Sequence, residues 1–245
     1  MKNISIYAYG RKTVNGAWWI NQNHIVNRLY YVNSGTALIS NSSFEFELTA
    51  GKIYIIPGCR TFCPLNAWNF NHTFFDFFHS RIFQTNKIIE IDEVITKSKS
   101  FFDYINFQIE NDKEMKIREA MEPLLSGYFS LLEKQGFELP FITNEIIIKA
   151  LQHIHTEPAD VCTRSLAQRL NIDESYFIRL FSSVVELTPM KYIRAYRVSK
   201  AKELIQNGES VAEAAEKCGY ASPSSFYNAV KAELNMSPSE LKTNN

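Results

Sequence analysis

The sequence predicts an α+β protein, in which an N-terminal antiparallel β-barrel precedes an all-α region with two helix-turn-helix units. Three observations support this prediction. Short β-favouring runs separated by turn residues fill the first part of the chain. Helical periodicity replaces them from about Ser98. One short helical pattern then occurs twice, in residues 171–189 and again in residues 219–238.

The strands are predicted from residues 28–39, 41–58 and 68–78, which are rich in aromatic and β-branched side chains. Turn-forming residues interrupt these runs at Asn33-Ser34-Gly35, Asn41-Ser42, Ala50-Gly51 and Pro57-Gly58. The stretch FEFEL alternates apolar and acidic residues, which indicates a strand with one solvated face. Strands spaced in this way favour an antiparallel barrel or sandwich.

Two helices are predicted next, over residues 100–110 and 114–136. Pro123 predicts a kink or a restart in the second helix, and Gly136 predicts its end. Its apolar residues recur at helical spacing: Ile117, Met121, Leu124, Leu125, Tyr128, Leu131 and Leu132. This stripe fits either packing against the barrel or a dimer contact. The predicted divisions are 1–95 (barrel), 96–139 (helical dimerisation or linker segment) and 140–245 (helical domain).

The last division reads as a series of short helices. The first of them is predicted over residues 141–155, with Thr143 or Asn144 as its cap, and Glu157-Pro158 ends it. Six more helical segments follow, at residues 163–170, 173–185, 189–207, 210–218, 222–234 and 237–242.

The repeat defines two copies of a helix-turn-helix. Its aligned pairs, each separated by 49 positions, are Phe177 with Phe226, Phe181 with Val230, and Pro189 with Pro238. Asn171 and Gly219 stand in the two turns and tolerate a positive φ. Asp173 is the predicted cap of one second helix, and Ser222 with Pro223 that of the other. The two apolar pairs are expected to face inward.

The outward positions of each second helix are mostly short and polar, and carry no acid. They are Ser175, Ile178, Arg179, Ser182 and Ser183 in the first copy, and Ser224, Ser225, Asn228 and Lys231 in the second. Small hydroxyls suit phosphate oxygens, arginine and asparagine suit base edges, and an exposed isoleucine suits a thymine methyl. These faces therefore predict contact with double-stranded DNA.

The helix between the two copies is basic. Lys191, Arg194, Arg197, Lys200 and Lys202 occur between residues 187 and 202 without an acid. Such a helix would offer charge to phosphates. A helix whose charges are compensated by neighbouring acids is the alternative, because residues 141–245 contain twelve lysines and arginines and twelve aspartates and glutamates.

The overall composition and the cysteine and histidine spacing argue against several other classes of function. The composition, 45% hydrophobic and 21% charged, is that of a globular protein. We expect no secretory signal, no membrane span and four reduced cysteines, hence a cytoplasmic location. The cysteines and histidines lack metal-site spacing, so no metal and no cofactor is expected. No residue pattern predicts a catalytic site, so we expect no enzyme.

The repeated region resembles the AraC/XylS family of bacterial transcription regulators. The stretches that carry the resemblance are LAQRLNIDESYFIRLF, TPMKYIRAYRVSKAKELI and SVAEAAEKCGYASPSSFYNAVKAELNMSPSELK, about two-fifths of the chain. The resemblance implies base-contacting positions at Ser175, Ile178 and Arg179 in the first unit, and at Pro223, Ser224 and Asn228 in the second. It also implies that Arg194, on the helix that links the two units, contacts DNA, whereas Arg197 on the same helix is expected to be mainly structural.

The chain departs from the family pattern at several of these positions. Glu186 and Asn235 replace the usual glycine after each recognition helix; asparagine adopts that conformation more easily than glutamate. Val230 replaces a phenylalanine, Asn228 replaces a common arginine, and Pro223 has no backbone donor. We therefore expect the second unit to hold the DNA backbone more than it reads bases.

The N-terminal part resembles the family's cupin-like sensor barrel through residues 31–58, although the histidine cluster of metal-binding cupins is missing. Its expected ligand site draws on Trp18, His24, Arg28, Tyr30 and Tyr54. The resemblance implies a regulator, by family habit an activator, that responds to a small molecule, forms a homodimer and works with RNA polymerase. Control by a protein partner is the first alternative, and a cupin enzyme with an accessory helical domain is the second.

Overall fold

The computed structural model describes residues 4–17, 25–40, 44–58, 62–79, 87–92, 97–111 and 118–242. The chain divides into two compact units. The first comprises residues 1–22 and 26–141, and the second comprises residues 23–25 and 142–245. The helical residues between the sheet and position 141 thus belong to the same unit as the sheet.

The first unit contains an antiparallel sheet of six strands. They are β1 (Ile4–Gly16), β2 (Asn27–Ser40), β3 (Glu45–Thr49), β4 (Lys52–Ile56), β5 (Cys63–His79) and β6 (Ile89–Asp92). The strand order is β1-β5-β2-β4-β6, and β3 pairs with the outer half of β2. This arrangement confirms the predicted antiparallel β fold.

Each face of the sheet carries a buried apolar cluster, and alternation along β2 places neighbouring residues in different clusters. Leu29 and Tyr31 lie on one face, in a cluster that includes residues of the following helices. Tyr30 and Val32 lie on the other face, in a cluster made by the sheet itself. Successive side chains of a strand point to opposite faces, so an unbroken apolar run such as LYYV supplies two cores at once.

The predicted turn at Asn33-Ser34-Gly35 is wrong, because β2 continues through it. The register against β5 shifts between Val32 and Ser34 and again between Ser34 and Thr36, which is the mark of a β-bulge. Gly35 has a φ of +74°, and a Cβ atom there would overlap the backbone of Asn69. Glycine at this position permits a close approach of two strands, and the strand bends without ending.

The turn at Ala50-Gly51 is confirmed between β3 and β4. Strand β3 shows the expected alternation, with Leu48 buried and both Glu45 and Glu47 exposed. Strand β4 ends at Ile56, directly before Pro57-Gly58. Asn41-Ser42 lies outside the described residues.

Two helices cover one face of the sheet: α1 (Lys99–Asn111) and α2 (Arg118–Lys134). Helix α2 contains Pro123 and continues past it, and Gly136 follows its end with a φ of +82°. Met121, Leu125, Tyr128 and Leu132 pack with the sheet, and Leu124 joins them partly buried. Leu131 is exposed, and Ile117 lies outside the described residues. Packing on the sheet thus accounts for most of the stripe.

A closed ring of three hydrogen bonds fixes α1 on the sheet. Asn106 of α1 donates to the side-chain oxygen of Asn33 at 2.7 Å, and Asn33 donates to the hydroxyl of Thr73 at 3.0 Å. The Thr73 hydroxyl donates to the side-chain oxygen of Asn106. Each buried group is satisfied, so the ring specifies the position of the helix without an uncompensated polar atom.

The second unit is helical throughout its described part. Its helices are α3 (Glu145–Thr156), α4 (Thr163–Arg169), α5 (Glu174–Val185), α6 (Pro189–Gln206), α7 (Val211–Lys217) and α8 (Pro223–Leu234), followed by a 3₁₀ turn at Pro238–Lys242. All agree with the predicted segments to within a few residues. Asn144, one of the two expected caps of α3, accepts from the N–H of Ile147 at 3.2 Å. Among the described residues, no helix is long and apolar enough to cross a membrane.

Candidate nucleic-acid interface

The first helix-turn-helix comprises α4 and α5. Asn171 has a φ of 53° in the turn between them, as its residue type predicted. The side chain of Asp173 then caps α5 by accepting from the N–H of Tyr176 at 2.9 Å. Phe177 and Phe181 are fully buried and contact each other edge to face. The expected inward pair therefore fixes α5 on the domain.

The second helix-turn-helix comprises α7 and α8. Gly219 has a φ of +79°, and a Cβ atom at this position would lie 2.7 Å from Cα of Ala159. Ser222 caps α8 by accepting from the N–H of Ser225 at 3.2 Å, and Pro223 is the first helical residue. Phe226 and Val230 are buried, as predicted. Only glycine meets both demands of this turn, a positive φ and contact with another backbone.

Helix α6 carries both helix-turn-helix units, the first formed by α4 and α5 and the second by α7 and α8. Tyr192, near its start, contacts Phe181 of the first unit with the ring centroids 5.7 Å apart. Val198, Ala201 and Ile205, further along, pack in the core of the second unit. One helix thus supplies core residues to both units, so their recognition helices are joined by packing and not only by the chain.

The predicted DNA-contacting side chains lie on the outer faces of α5 and α8. The exposed ones are Ser175, Ile178, Arg179, Ser183, Pro223, Ser224, Ser225, Asn228 and Lys231. Arg179 makes no ion pair with any residue that the structure describes. An unpaired guanidinium on an exposed helix face is available for bidentate contact with a guanine edge.

Three of the predicted side chains are less available. The hydroxyl oxygen of Ser182 is buried, although the residue as a whole is half-buried. The hydroxyl of Ser225 donates to the carbonyl of Ser222 at 2.7 Å and serves the cap of α8. The ammonium of Lys231 lies 3.5 Å from the carbonyl of Asn235. To contact DNA, Ser182 would need to expose its hydroxyl, and Ser225 and Lys231 would need to leave their carbonyl partners.

Arg197 has the structural role that was expected of it. Its guanidinium donates to the carbonyls of Pro158, Ala159 and Val161, at 2.7, 3.1 and 3.0 Å. These carbonyls belong to the loop between α3 and α4, so one side chain of α6 holds the entry to the first unit.

At least two of the five basic side chains of α6 form ion pairs within the domain. Arg194 forms an ion pair with Glu233 of α8 at 2.5 Å, and Lys200 pairs with Glu203 at 3.0 Å. Lys191 is exposed and makes no ion pair among the described residues. The alternative considered for this helix, compensation by neighbouring acids, therefore describes Arg194 and Lys200.

Two exposed aromatic side chains on the same faces were not predicted. Tyr176 is 45% exposed on α5 and Tyr227 is 47% exposed on α8. The 49-residue offset of the repeat pairs Tyr227 with Ile178, a predicted DNA-contacting residue. The repeat itself therefore marks the position of Tyr227. Tyr227 also lines a groove of about 890 Å³ beside α7 and α8, with Ser224 and Asn228.

The expected ligand residues of the sheet occupy a buried polar site. Arg28 pairs with Asp76 across β2 and β5 at 3.2 Å, and Tyr30 lies next to Arg28 on the same face. Burial raises the pKa of Tyr30, opposed in part by the Arg28 charge. The hydroxyl of Tyr54 donates to or accepts from Thr49 at 3.1 Å. Trp18 and His24 lie outside the described residues.

His72 lies beside this site and was not among the expected ligand residues. Its ring is 4.7 Å from that of Tyr30 and 4.4 Å from that of Phe70. Burial lowers its pKa to about 4, so the imidazole is neutral at physiological pH. Within the described ranges, no group of three or more histidine, cysteine, aspartate or glutamate side chains is placed to hold a metal ion.

Comparisons with known proteins agree with this geometry. A helix-turn-helix domain model matches residues 166–244. Over 95 residues, 38% of this chain and 31% of the relative, the sequence is 33% identical to the HTH-type transcriptional regulator AlkR of Acinetobacter baylyi. Over 124 residues, 50% of this chain and 32% of the relative, it is 26% identical to the xylose operon regulatory protein of Haemophilus influenzae. The chain spans about a third of the length of these two curated relatives.

The whole chain is similar in fold to ToxT of Vibrio cholerae. A ToxT structure at 1.65 Å resolution matches with a TM-score of 0.60 and 15% identity, covering 99% of this chain and 100% of ToxT. A ToxT structure with a bound unsaturated fatty acid matches with a TM-score of 0.56 and 15% identity, covering 97% and 92%. These matches agree with the resemblance: the C-terminal part contains a helix-turn-helix domain, and the chain has the ToxT fold.

Proposed function

We propose that this protein is a sequence-specific DNA-binding transcription regulator. Two helix-turn-helix units on a shared helix support this, and the observation that carries it is Arg179, exposed on α5 without an intramolecular ion pair. Each recognition helix would enter the major groove of one of two segments about 34 Å apart. Activation, a homodimer and contact with RNA polymerase complete the proposal by resemblance to the family. Catalysis is no part of it.

Footprinting on the DNA that flanks its own gene tests the proposal. The wild-type protein is expected to protect a discrete site of about two helical turns. Arg179→Ala should lower affinity for that site by about tenfold or more, while affinity for random DNA changes little. Arg169→Ala is the matched control, because Arg169 is already paired with Glu157 and lies outside the recognition helix. Equal losses on specific and random DNA would contradict a base-reading role for Arg179.

We also propose that the N-terminal unit responds to a small molecule. The buried Arg28–Asp76 pair and Tyr30 would give a carboxylate or hydroxyl group polar partners inside an apolar surrounding. Because ToxT has been crystallised with an unsaturated fatty acid, unsaturated fatty acids are the first effectors to test.

The test measures affinity for the footprinted site with and without an unsaturated fatty acid, followed by sugars and other metabolites. The expected result is a change in affinity that Arg28→Met abolishes. If no compound binds and a bound protein changes affinity instead, the alternative of a protein partner takes its place. Dependence of the function on a metal would favour the cupin-enzyme alternative.

A further inference from the structure

Tyr227 is exposed on α8 although the helix does not need it for packing. Phe226, Ala229 and Val230 make the buried face of α8. The ring of Tyr227 is 47% exposed, and the side chain makes no hydrogen bond or ring contact among the described residues. A single exposed aromatic side chain is common on protein surfaces, so its meaning depends on its place in the repeated unit.

The repeat gives this position a counterpart. Ile178 stands 49 positions earlier and is 37% exposed, and it is an aliphatic residue on the outer face of α5. The flanking positions also correspond, Ser175 with Ser224 and Arg179 with Asn228. Each recognition helix thus presents a small hydroxyl, then an apolar side chain, then a side chain able to make two parallel hydrogen bonds.

In α8, this order of side chains suits A·T base pairs. The methyl group of thymine is the apolar feature of the major groove, and asparagine pairs through two hydrogen bonds with adenine. A tyrosine ring offers a broad apolar surface to the methyl group, and its hydroxyl can reach a phosphate or a base edge.

The cations near α8 argue against a purely electrostatic role for the second unit. Arg194 is paired with Glu233, and Lys231 lies near the carbonyl of Asn235. Holding the backbone requires positive charge that can leave its protein partner. The second unit therefore has less to offer phosphates than its sequence suggested, and more apolar surface to offer bases.

We propose that Tyr227 determines the sequence specificity of the second unit by contacting a thymine methyl, next to an adenine read by Asn228. The inference rests on the proposed DNA-binding function and replaces the expectation that this unit mainly holds the backbone.

Site selection from random duplexes by the full-length protein tests it, using wild type, Tyr227→Ser, Tyr227→Phe and Ile178→Ser. The wild type is expected to select two half-sites about one turn apart. Tyr227→Ser should lose the thymine preference in one half-site by about tenfold and leave the other unchanged. Ile178→Ser should affect the opposite half-site, and Tyr227→Phe should keep the preference because it keeps the ring.

Replacing the selected thymine by deoxyuridine isolates the methyl group. Wild type and Tyr227→Phe are expected to lose several-fold in affinity, whereas Tyr227→Ser should not distinguish the two duplexes. Thermal denaturation confirms that each variant is folded. If folded Tyr227→Ser still prefers thymine to uracil, or lowers transcription with unchanged base preferences, the inference is overturned. A wild type that selects no sequence would overturn the proposed function as well, so the two failures are distinguishable.

Discussion

The two helix-turn-helix units share their frame and differ in the surface that they present. Both have a residue of positive φ in the turn, a capped second helix and a buried pair one helical turn apart. On the surface, an unpaired arginine at position 179 corresponds to asparagine at 228, and isoleucine at 178 corresponds to tyrosine at 227. Packing fixes the frame of a duplicated unit, whereas the solvent-facing positions are free to specialise.

The largest effect is expected at the loop that both units share. Arg197→Met removes three hydrogen bonds to backbone carbonyls, which we expect to lower the free energy of unfolding by about 2–4 kcal/mol. Arg194→Met, one turn earlier on the same face of α6, breaks one partly exposed ion pair and should cost less than about 1 kcal/mol. Urea denaturation measures both, and equal costs would contradict the structural role of Arg197.

A direct comparison of the two reading surfaces comes next. Arg179→Ala is expected to lower the affinity for the selected site by about 2 kcal/mol, since bidentate arginine–guanine contacts contribute about 1–3 kcal/mol. Asn228→Ala should cost less, about 1 kcal/mol, because the asparagine is neutral. Fluorescence anisotropy with labelled duplexes gives both values. A larger loss for Asn228→Ala would reverse the ranking of the units.

The ends of the two recognition helices differ in strain. Glu186 and Asn235 both adopt a left-handed conformation, with φ of 62° and 54°. Glutamate is strained there, so Glu186→Gly should stabilise the domain by about 1 kcal/mol. Asn235→Gly should change the stability by only a few tenths of a kcal/mol, because asparagine tolerates this conformation. Chemical denaturation of the two variants checks the difference, which is absent if neither backbone is strained.

The smallest effect concerns Arg194 of α6, whose charge is paired with Glu233 of α8. Glu233→Gln releases Arg194, and one additional phosphate contact should steepen the dependence of log Kd on log salt concentration by about 0.9. Glu145→Gln changes the net charge equally at a residue of α3 and is the control. Identical slopes for the two variants would show that Arg194 does not reach the DNA backbone.

Local signals account for what the sequence predicted correctly. Asp173 and Ser222 cap their helices, and Asn171 and Gly219 stand in the turns, because such roles depend on neighbouring backbone atoms. The inward pairs followed from helical periodicity in the same way.

Contacts between distant residues explain the errors and omissions. Asn33-Ser34-Gly35 has the composition of a turn, but the close approach of β5 makes it a bulge in a continuous strand. The pairing of Arg194 with Glu233 joins residues 39 positions apart, and no local pattern marks it. Tyr227 is different, since the repeat already contained the signal.

The loop of residues 158–161 leads into the first helix-turn-helix and contacts the second: Arg197 of α6 holds its carbonyls, and Ala159 lies against the turn at Gly219. A domain joined in this way would be sensitive to the spacing between two half-sites as well as to their bases. One base pair inserted between two half-sites rotates the second by about 35° around the duplex axis, since a turn takes 10–10.5 base pairs. Neither unit can follow that rotation without breaking these contacts. Functional sites for this protein are therefore expected to keep a fixed helical phase.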